Sequence, residues 1–249
     1  MNAIEILGCR VDAVGREAAV ERVVALARGS TPSLVVTLGT EMVMEAQHNE
    51  RFRAALASAA LVTCDTVGVL LASRLRGGPL RERVTGVELV RALARRSQSD
   101  DLRFYLLGGR DDTASRAAAV LRNAGAHVVG ARDGYWPPGS DASVAADVRN
   151  TGANLLLAAL GSPKQELWLS QYLGATGCAV GVGIGGTLDV LAGNVARAPL
   201  PWQRLGLEWL YRLVREPWRW RRQLALPAFL VLALFETAHS HFPTGKTTG

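Results

Sequence analysis

"NLLLAALGSPKQELWL" at residues 154–169 joins an apolar run of strand length to a turn and then to a helical pattern. Gly161 lies in the turn, and Lys164, Gln165 and Glu166 follow it where a helix is expected to start. A fully apolar strand is typical of a parallel sheet that is buried on both faces. The stretch therefore predicts a strand–turn–helix unit, with three polar side chains placed where a buried strand ends.

The same alternation runs through most of the chain. Short apolar runs alternate with segments at helical spacing, which is typical of a parallel sheet covered by helices. We predict an α/β fold with a Rossmann-like, mostly parallel sheet and helices on both faces, preceded by a short hairpin in residues 3–14. The predicted strands are 33–38, 60–64, 103–109, 127–131, 154–160 and 178–183, and the predicted helices are about 41–59, 66–77, 86–98, 111–124, 140–150 and 164–173.

The composition suits a packed core in a reducing compartment. With 249 residues and 49% apolar content, the chain can bury a core as one domain or as two small lobes. Its three cysteines are widely spaced and show no zinc or disulfide pattern, and the N-terminus lacks the features of a signal peptide. We predict an α/β core at residues 1–199 and a helical appendage at residues 200–249.

The positive charge is concentrated in this appendage. Residues 197–222 carry seven arginines and two glutamates, and so hold five of the six net positive charges. Such a patch suits phosphate groups, an anionic membrane surface or nucleic acid. Because tryptophans and an apolar run adjoin the arginines, as in membrane segments, we do not expect nucleic acid to be the partner.

The apolar run at residues 224–235 leaves two alternatives open. It contains Pro227 and is too short to span a bilayer, which takes roughly 20 residues. It either lies in a membrane interface beside the arginines or forms a final helix packed on the body or on a second copy of the chain.

Two polar residues at strand ends are candidates for chemistry. Asp65 follows a predicted strand, where a carboxylate is well placed to act as a base on a bound hydroxyl. The alternative is that it caps a helix, because Asp favours that position. Thr37 ends the neighbouring predicted strand and is expected in the same crevice.

Other segments suggest contacts to a nucleotide. Gly108 and Gly109 lie between a strand and a helix, where backbone amides can approach a phosphate or ribose. Tyr135 lies on a loop, either to stack on a base or as an ordinary turn residue. The chain has no D-x-D, and its four histidines form no metal-like pattern, so we expect no metal and no other cofactor.

Arginines recur at helical spacing in the basic segment. Arg212, Arg215, Arg219 and Arg222 would share one face of a continuous helix, which Pro217 interrupts. Such a row either clamps a diphosphate, because each guanidinium donates to two oxygens, or forms a solvated or lipid-facing stripe.

Taken together, these segments resemble the WecG/TagA/CpsF family of bacterial glycosyltransferases. The resemblance covers about residues 5–235, and the ordered set of motifs is far more specific than any one of them. The motifs are VTLGTEMVMEAQ, LVTCDTVGVLLASRLRGGPLRERVTGVEL, YLLGGRDD, ARDGYW, LLAALGSPKQELW, GVGIGGTLDVLAGNVARAP and GLEWLYRLVREPWRWRR.

The resemblance implies an inverting, metal-independent transfer at the inner face of the cell membrane. An N-acetylmannosamine-type sugar would pass from UDP to an amino sugar on a polyprenyl diphosphate, for a surface polysaccharide or cell-wall polymer. The family pattern makes Asp65 the general base, with Thr37 beside it. The implied substrate-binding residues are Arg83, Gly108, Gly109, Gly134, Tyr135, Gly161, Gln165, Glu166, Gly185, Asp189, Arg212, Arg219 and Arg222.

Three positions depart from the family pattern. The family usually has Asn where this chain has Gly39, Gly where it has Thr66, and Asp where it has Glu88. Gly39 removes a polar side chain from the expected acceptor side, so the sugar and the acceptor are left open. The alternative function is a non-catalytic, nucleotide-sugar-binding scaffold docked on the membrane.

Overall fold

The chain alternates strands and helices around one main sheet. The computed structural model describes residues 2–196, 198–199, 202, 210–211 and 225–240, and in the last range the side chains of residues 228–233, 235 and 236. The elements are β1 (Ala3–Ile6), β2 (Cys9–Asp12), α1 (Arg16–Ala27), β3 (Ser33–Leu38), α2 (Thr40–Ala46), α3 (Glu50–Ala57), β4 (Leu61–Cys64), α4 (Val67–Leu75), α5 (Gly86–Arg96), β5 (Arg103–Gly108), α6 (Thr113–Asn123), β6 (His127–Arg132), α7 (Asp141–Asn150), β7 (Leu155–Ala159), α8 (Lys164–Thr176), β8 (Val180–Gly183), α9 (Thr187–Leu191) and α10 (Ala225–Ser240).

Six strands form a parallel sheet, which confirms the predicted fold class. Their order is β4-β3-β8-β7-β5-β6, and every neighbouring pair is parallel. The strands β1 and β2 form the predicted antiparallel hairpin. Because all six strands run the same way, their carboxyl ends meet at one edge of the sheet, where open parallel sheets bind ligands.

Helices cover both faces of the sheet. In β7, Leu156 and Ala158 join a core with α2, α3, α7 and α8, whereas Leu155 and Leu157 join a core with α1, α5, α6 and α9. Successive side chains of a strand point to opposite faces, so an uninterrupted apolar run is what a sheet buried on both faces needs.

Several helix boundaries differ from the sequence-based prediction. The helix predicted at 41–59 is two helices, α2 and α3, because the side chain of Asn49 accepts a hydrogen bond from the amide of Phe52 (3.0 Å) and caps a new start. Helix α1 is absent from the sequence-based prediction. Helix α8 continues to Thr176 and ends at Gly177, whose left-handed φ of 71° suits glycine.

The last described helix, α10, packs on the body. Phe229 and Ala233 are buried against the core that includes α2 and α4. The carboxylate of Glu236 accepts hydrogen bonds from the amide of Leu7 (3.0 Å) and from Arg76 (2.8 Å). Two alternatives were open for the apolar run at residues 224–235, a membrane interface or a helix packed on the body. The structure shows the helix packed on the body. The boundary predicted at residue 199 adjoins residues outside the described set and stays a prediction.

None of the described helices combines the length and the apolar character needed to span a membrane.

Candidate active site

Asp65 lies at the carboxyl edge of the sheet, directly after β4. Its amide donates to the carbonyl of Leu38 at the end of β3 (3.0 Å), and its Oδ1 accepts from the amide of Gly86 (3.2 Å), the first residue of α5. The side chain is partly exposed. A helix N-terminus attracts negative charge, so the start of α5 orients the carboxylate.

Arg83 lies at the same corner of the sheet. The amide of Val84, the next residue, donates to the carbonyl of Cys64 (2.7 Å), so that the segment before α5 runs along the end of β4. Burial raises the pKa of the Cys64 thiol to about 12, and the charges of Asp65 and Arg83 act on that thiol in opposite directions. The structure thus brings together the predicted base and a predicted substrate-binding cation.

Thr37 is buried beside this corner. Its hydroxyl donates to the carbonyl of Gly183, the last residue of β8, over 2.9 Å. The hydroxyl oxygen keeps a lone pair, so Thr37 can still accept a hydrogen bond from a ligand. The predicted closeness of Thr37 and Asp65 follows from the parallel pairing of β3 with β4.

Gln165 and Glu166 face inward at the start of α8. The amide nitrogen of Gln165 donates to Glu166 Oε1 (2.7 Å), and its oxygen accepts from the amide of Gly185 (3.2 Å). Both side chains are buried. Gln165 therefore joins α8 to the loop after β8, so it supports the floor of the crevice with its own hydrogen bonds.

Glu166 has a raised pKa because it is buried. Hydrogen bonding with the side chains of Gln165 and Ser162 opposes that rise but does not cancel it. Its second oxygen, Oε2, is the one buried side-chain nitrogen or oxygen in the described part of the chain without a hydrogen-bond partner. A buried carboxylate without a full set of partners is costly, so the protonated form is favoured.

Lys164 is exposed at the rim, above an aromatic ring. Its Nζ lies 4.9 Å from the ring centroid of Trp136. The indole nitrogens of Trp136 and Trp168 both donate to Asp141 Oδ1, over 3.0 and 2.9 Å. This role of Asp141 could not be predicted from the sequence, because only the fold brings the three residues together.

Close backbone packing explains why glycine stands at positions that were predicted to contact the nucleotide. A Cβ on Gly108 would lie 2.3 Å from the carbonyl oxygen of Ala159, and one on Gly134 would lie 3.3 Å from the Cα of Gly108. The amide of Gly109 already donates to the carbonyl of Ala159 (3.2 Å). Gly161 has no such crowding, but its φ of 79° is left-handed.

Tyr135 presents an open aromatic ring beside these glycines. The side chain is 62% exposed, and its hydroxyl accepts from Arg110 Nε over 2.9 Å. The guanidinium carbon of Arg110 lies 5.6 Å from the ring centroid. An exposed ring held by a neighbouring arginine offers a face on which a nucleobase can stack.

The remaining predicted site residues are one aspartate on α9 and three arginines that cannot be placed. Asp189 in α9 accepts a hydrogen bond from the side-chain amide of Asn194 (3.2 Å). Arg212, Arg219 and Arg222 lie outside the described residues. Within the described ranges, no group of three or more His, Cys, Asp or Glu side chains is placed to hold a metal ion.

The chain is similar to known glycosyltransferases over most of its length. A protein of Bacillus spizizenii, named N-acetylglucosaminyldiphosphoundecaprenol N-acetyl-beta-D-mannosaminyltransferase, is 33% identical over 204 residues, which are 81% of this chain and 79% of that protein. Residues 4–242 match the description "Glycosyl transferase WecG/TagA/CpsF family". A match over nearly the whole chain, together with the parallel sheet and the residues gathered at its carboxyl edge, shows that this chain belongs to the WecG/TagA/CpsF family of glycosyltransferases.

Proposed function

We propose that the chain transfers an N-acetylhexosamine-type sugar from a UDP-sugar to a sugar linked to a polyprenyl diphosphate. The observation that carries the proposal is the carboxylate of Asp65, oriented by the amide of Gly86 at the rim of the crevice. The named activity of the Bacillus spizizenii relative supports a lipid-diphosphate acceptor and an N-acetylmannosamine-type donor. The product would enter a surface polysaccharide or a cell-wall polymer.

The proposed reaction is a single displacement with inversion. Asp65 removes the proton of the acceptor hydroxyl as its oxygen attacks the anomeric carbon, and the bond to UDP breaks on the opposite face. Negative charge then develops on the diphosphate. We propose that Arg212, Arg219 and Arg222 of the basic segment stabilise this charge without a metal ion, because guanidinium groups match diphosphate oxygens.

The nucleotide is proposed to lie on the side of β5, β6 and β7. Tyr135 offers its exposed ring to the uracil, and Arg110 holds that ring in place. Asp65 and Arg83 lie on the side of β4, where the acceptor would enter. In this proposal, the uracil and the acceptor lie at the two ends of one crevice.

The protein is proposed to act as a peripheral protein at the inner face of the cell membrane. In the described part of the chain, five of the seven exposed large hydrophobic side chains lie on α4 and α10, which pack against each other. They are Leu71, Leu75, Val231, Leu232 and Phe235, and we call them the apolar face. The arginines of residues 197–222 would complement anionic lipid headgroups.

A donor screen tests the proposal. UDP-N-acetylhexosamines are each combined with the full chain and a short-chain polyprenyl-diphosphate-linked amino sugar, and UDP release and the lipid product are measured. We expect UDP release that depends on the acceptor. UDP binding without any transfer, over the whole panel, would instead support the non-catalytic scaffold.

A further inference from the structure

Thr66 occupies the space beside Gly39. The methyl carbon Cγ2 of Thr66 lies 3.3 Å from the point where a Cβ on residue 39 would stand. Gly39 is buried, and its backbone is extended at φ −105° and ψ 164°, a conformation open to every residue type. The backbone therefore does not require glycine here. The side chain of Thr66 is what restricts the space.

The hydroxyl of Thr66 connects two neighbouring loops. The amide of Thr40 donates to Thr66 Oγ1 over 3.1 Å, and the two threonine hydroxyls are hydrogen-bonded at 2.9 Å. Thr40 begins α2, and the first amides of a helix have no partner within the helix. Gly39 at the N-cap position has no side chain to accept from them. Thr66 supplies the acceptor from the loop after β4.

Asp65 lies within this junction. Its amide is bonded to Leu38, the residue before Gly39, and its carboxylate is bonded to Gly86. The hydrogen bond from Thr40 to Thr66 adds a third connection, one residue after Asp65. A general base acts efficiently only when neighbouring contacts hold it in a narrow range of positions.

We propose that Gly39 and Thr66 form one positioning unit for Asp65. The hydroxyl of Thr66 holds the Asp65 loop against α2, and the absence of a side chain at residue 39 leaves room for the threonine. The two residues are therefore coupled, so that a change at one alters the effect of a change at the other. This inference rests on the proposed role of Asp65 as the base.

A double-mutant cycle tests the coupling. Gly39→Ala adds a methyl against Thr66 Cγ2, and we expect kcat to fall about fivefold with little change in the KM for the donor. Thr66→Ser removes that methyl but keeps the hydroxyl, and should retain most of the transfer rate. The double variant should then be close to Thr66→Ser, because the crowding has gone. A double variant as slow as Gly39→Ala would overturn the proposal.

A second comparison separates the hydroxyl from the shape of the side chain. Thr66→Val keeps the shape but leaves the amide of Thr40 without its acceptor, and we expect kcat to fall about fivefold. Rescue by Thr66→Ser would show that the hydroxyl is what matters. Equal rates for the serine and valine variants would contradict the inference. Gly174→Ala is the matched control for Gly39→Ala, since its new methyl meets only Pro32 Cγ at 3.9 Å, and it should leave kcat unchanged.

The experiment also separates this inference from the proposed function. If Asp65→Asn turned over like the wild type, the assignment of Asp65 as the base would fail. The unfolding midpoints of Gly39→Ala, Thr66→Ser and the double variant would still report whether residues 39 and 66 are coupled. If Asp65→Asn were inactive and the kcat cycle were additive, only the positioning unit would be rejected.

Discussion

Gln165 and Glu166 are consecutive residues of α8 whose buried side chains are hydrogen-bonded to each other over 2.7 Å. Gln165 uses its oxygen for the amide of Gly185, so it is held at both ends. Glu166 Oε2 has no partner among the described residues. The pair thus combines a well-anchored amide with a carboxyl group whose pKa is raised by burial.

Glu166→Gln should change how stability depends on pH. Burial raises the pKa of Glu166 in the folded state above its unfolded value. Its contribution to the free energy of unfolding is therefore complete below the unfolded pKa and is lost as the pH rises through the folded pKa. Glutamine keeps the acceptor for Gln165 but cannot ionise, so this loss should vanish. Urea unfolding over a range of pH measures the difference.

The control for that measurement is Glu50→Gln. The side chain of Glu50 is 92% exposed, so this variant lacks the burial on which the expected effect of Glu166→Gln rests. An unchanged pH dependence in Glu166→Gln as well would show that folding does not raise the pKa of Glu166.

Asp65→Asn should remove catalysis while preserving donor binding. Asparagine keeps an oxygen that can accept from the amide of Gly86 but cannot take a proton from the acceptor hydroxyl. We expect turnover to fall by about 10²–10⁴-fold. Transfer at saturating donor and calorimetric UDP binding measure the two effects. Wild-type turnover would exclude Asp65 as the base.

Tyr135→Ala should weaken UDP binding by about tenfold or more, because stacking of a base on an aromatic ring contributes roughly 1–3 kcal/mol. Tyr135→Phe keeps the ring and loses only the hydrogen bond from Arg110. It should therefore bind UDP nearly as well as the wild type. If Tyr135→Ala bound UDP as tightly as the wild type, the uracil would not stack on Tyr135.

Asp141→Ala should lower the free energy of unfolding by about 1–3 kcal/mol, because it leaves the indole N–H groups of Trp136 and Trp168 without their shared acceptor. Asp141→Asn keeps an acceptor oxygen and should cost less. Denaturant unfolding followed by tryptophan fluorescence compares the two variants. Equal losses would mean that the hydrogen bonds themselves contribute little.

The variants Leu232→Ser and Phe235→Ser should each weaken membrane binding without unfolding α10. Both side chains are exposed on α10, whereas Phe229 and Ala233 hold the helix to the body. Loss of each large apolar side chain should reduce vesicle binding by roughly tenfold. Sedimentation with anionic vesicles provides the measurement, and Val120→Ser, an exposed valine on α6, is the control. Equal vesicle binding by all variants would exclude the apolar face as the membrane-binding surface.

The parallel sheet could be predicted because its signal is local. Each apolar run has the length of a strand and is followed by turn residues, so β3 and β7 were located to within a residue. Helix α1 was missed because its pattern of Ala, Val and Glu is weakly periodic. The split between α2 and α3 depends on a single cap by Asn49, which a search for periodicity overlooks.

The site was predictable only in part. The sheet edge explains why Thr37 and Asp65 are neighbours, since parallel strands end together. Gln165 was expected to point into the crevice, but its hydrogen bond to a buried Glu166 was not foreseen, because the first turn of a helix places successive side chains on different faces. The closeness of Thr66 and Gly39 could not be predicted, because the two residues are 27 positions apart in the sequence. Only the fold brings Thr66 Cγ2 to 3.3 Å from the point where a Cβ on residue 39 would stand.

Helix α4 starts two residues after Asp65 and ends at Leu75, on the apolar face. Nine helical residues span about 13 Å. If the apolar face rests on a bilayer, as proposed, α4 connects the lipid-facing side chains of Leu71 and Leu75 to the loop that carries Asp65, so the fold limits how far the base lies from the lipid surface. An acceptor sugar held on a diphosphate would then be selected by its height above the membrane as well as by its chemistry.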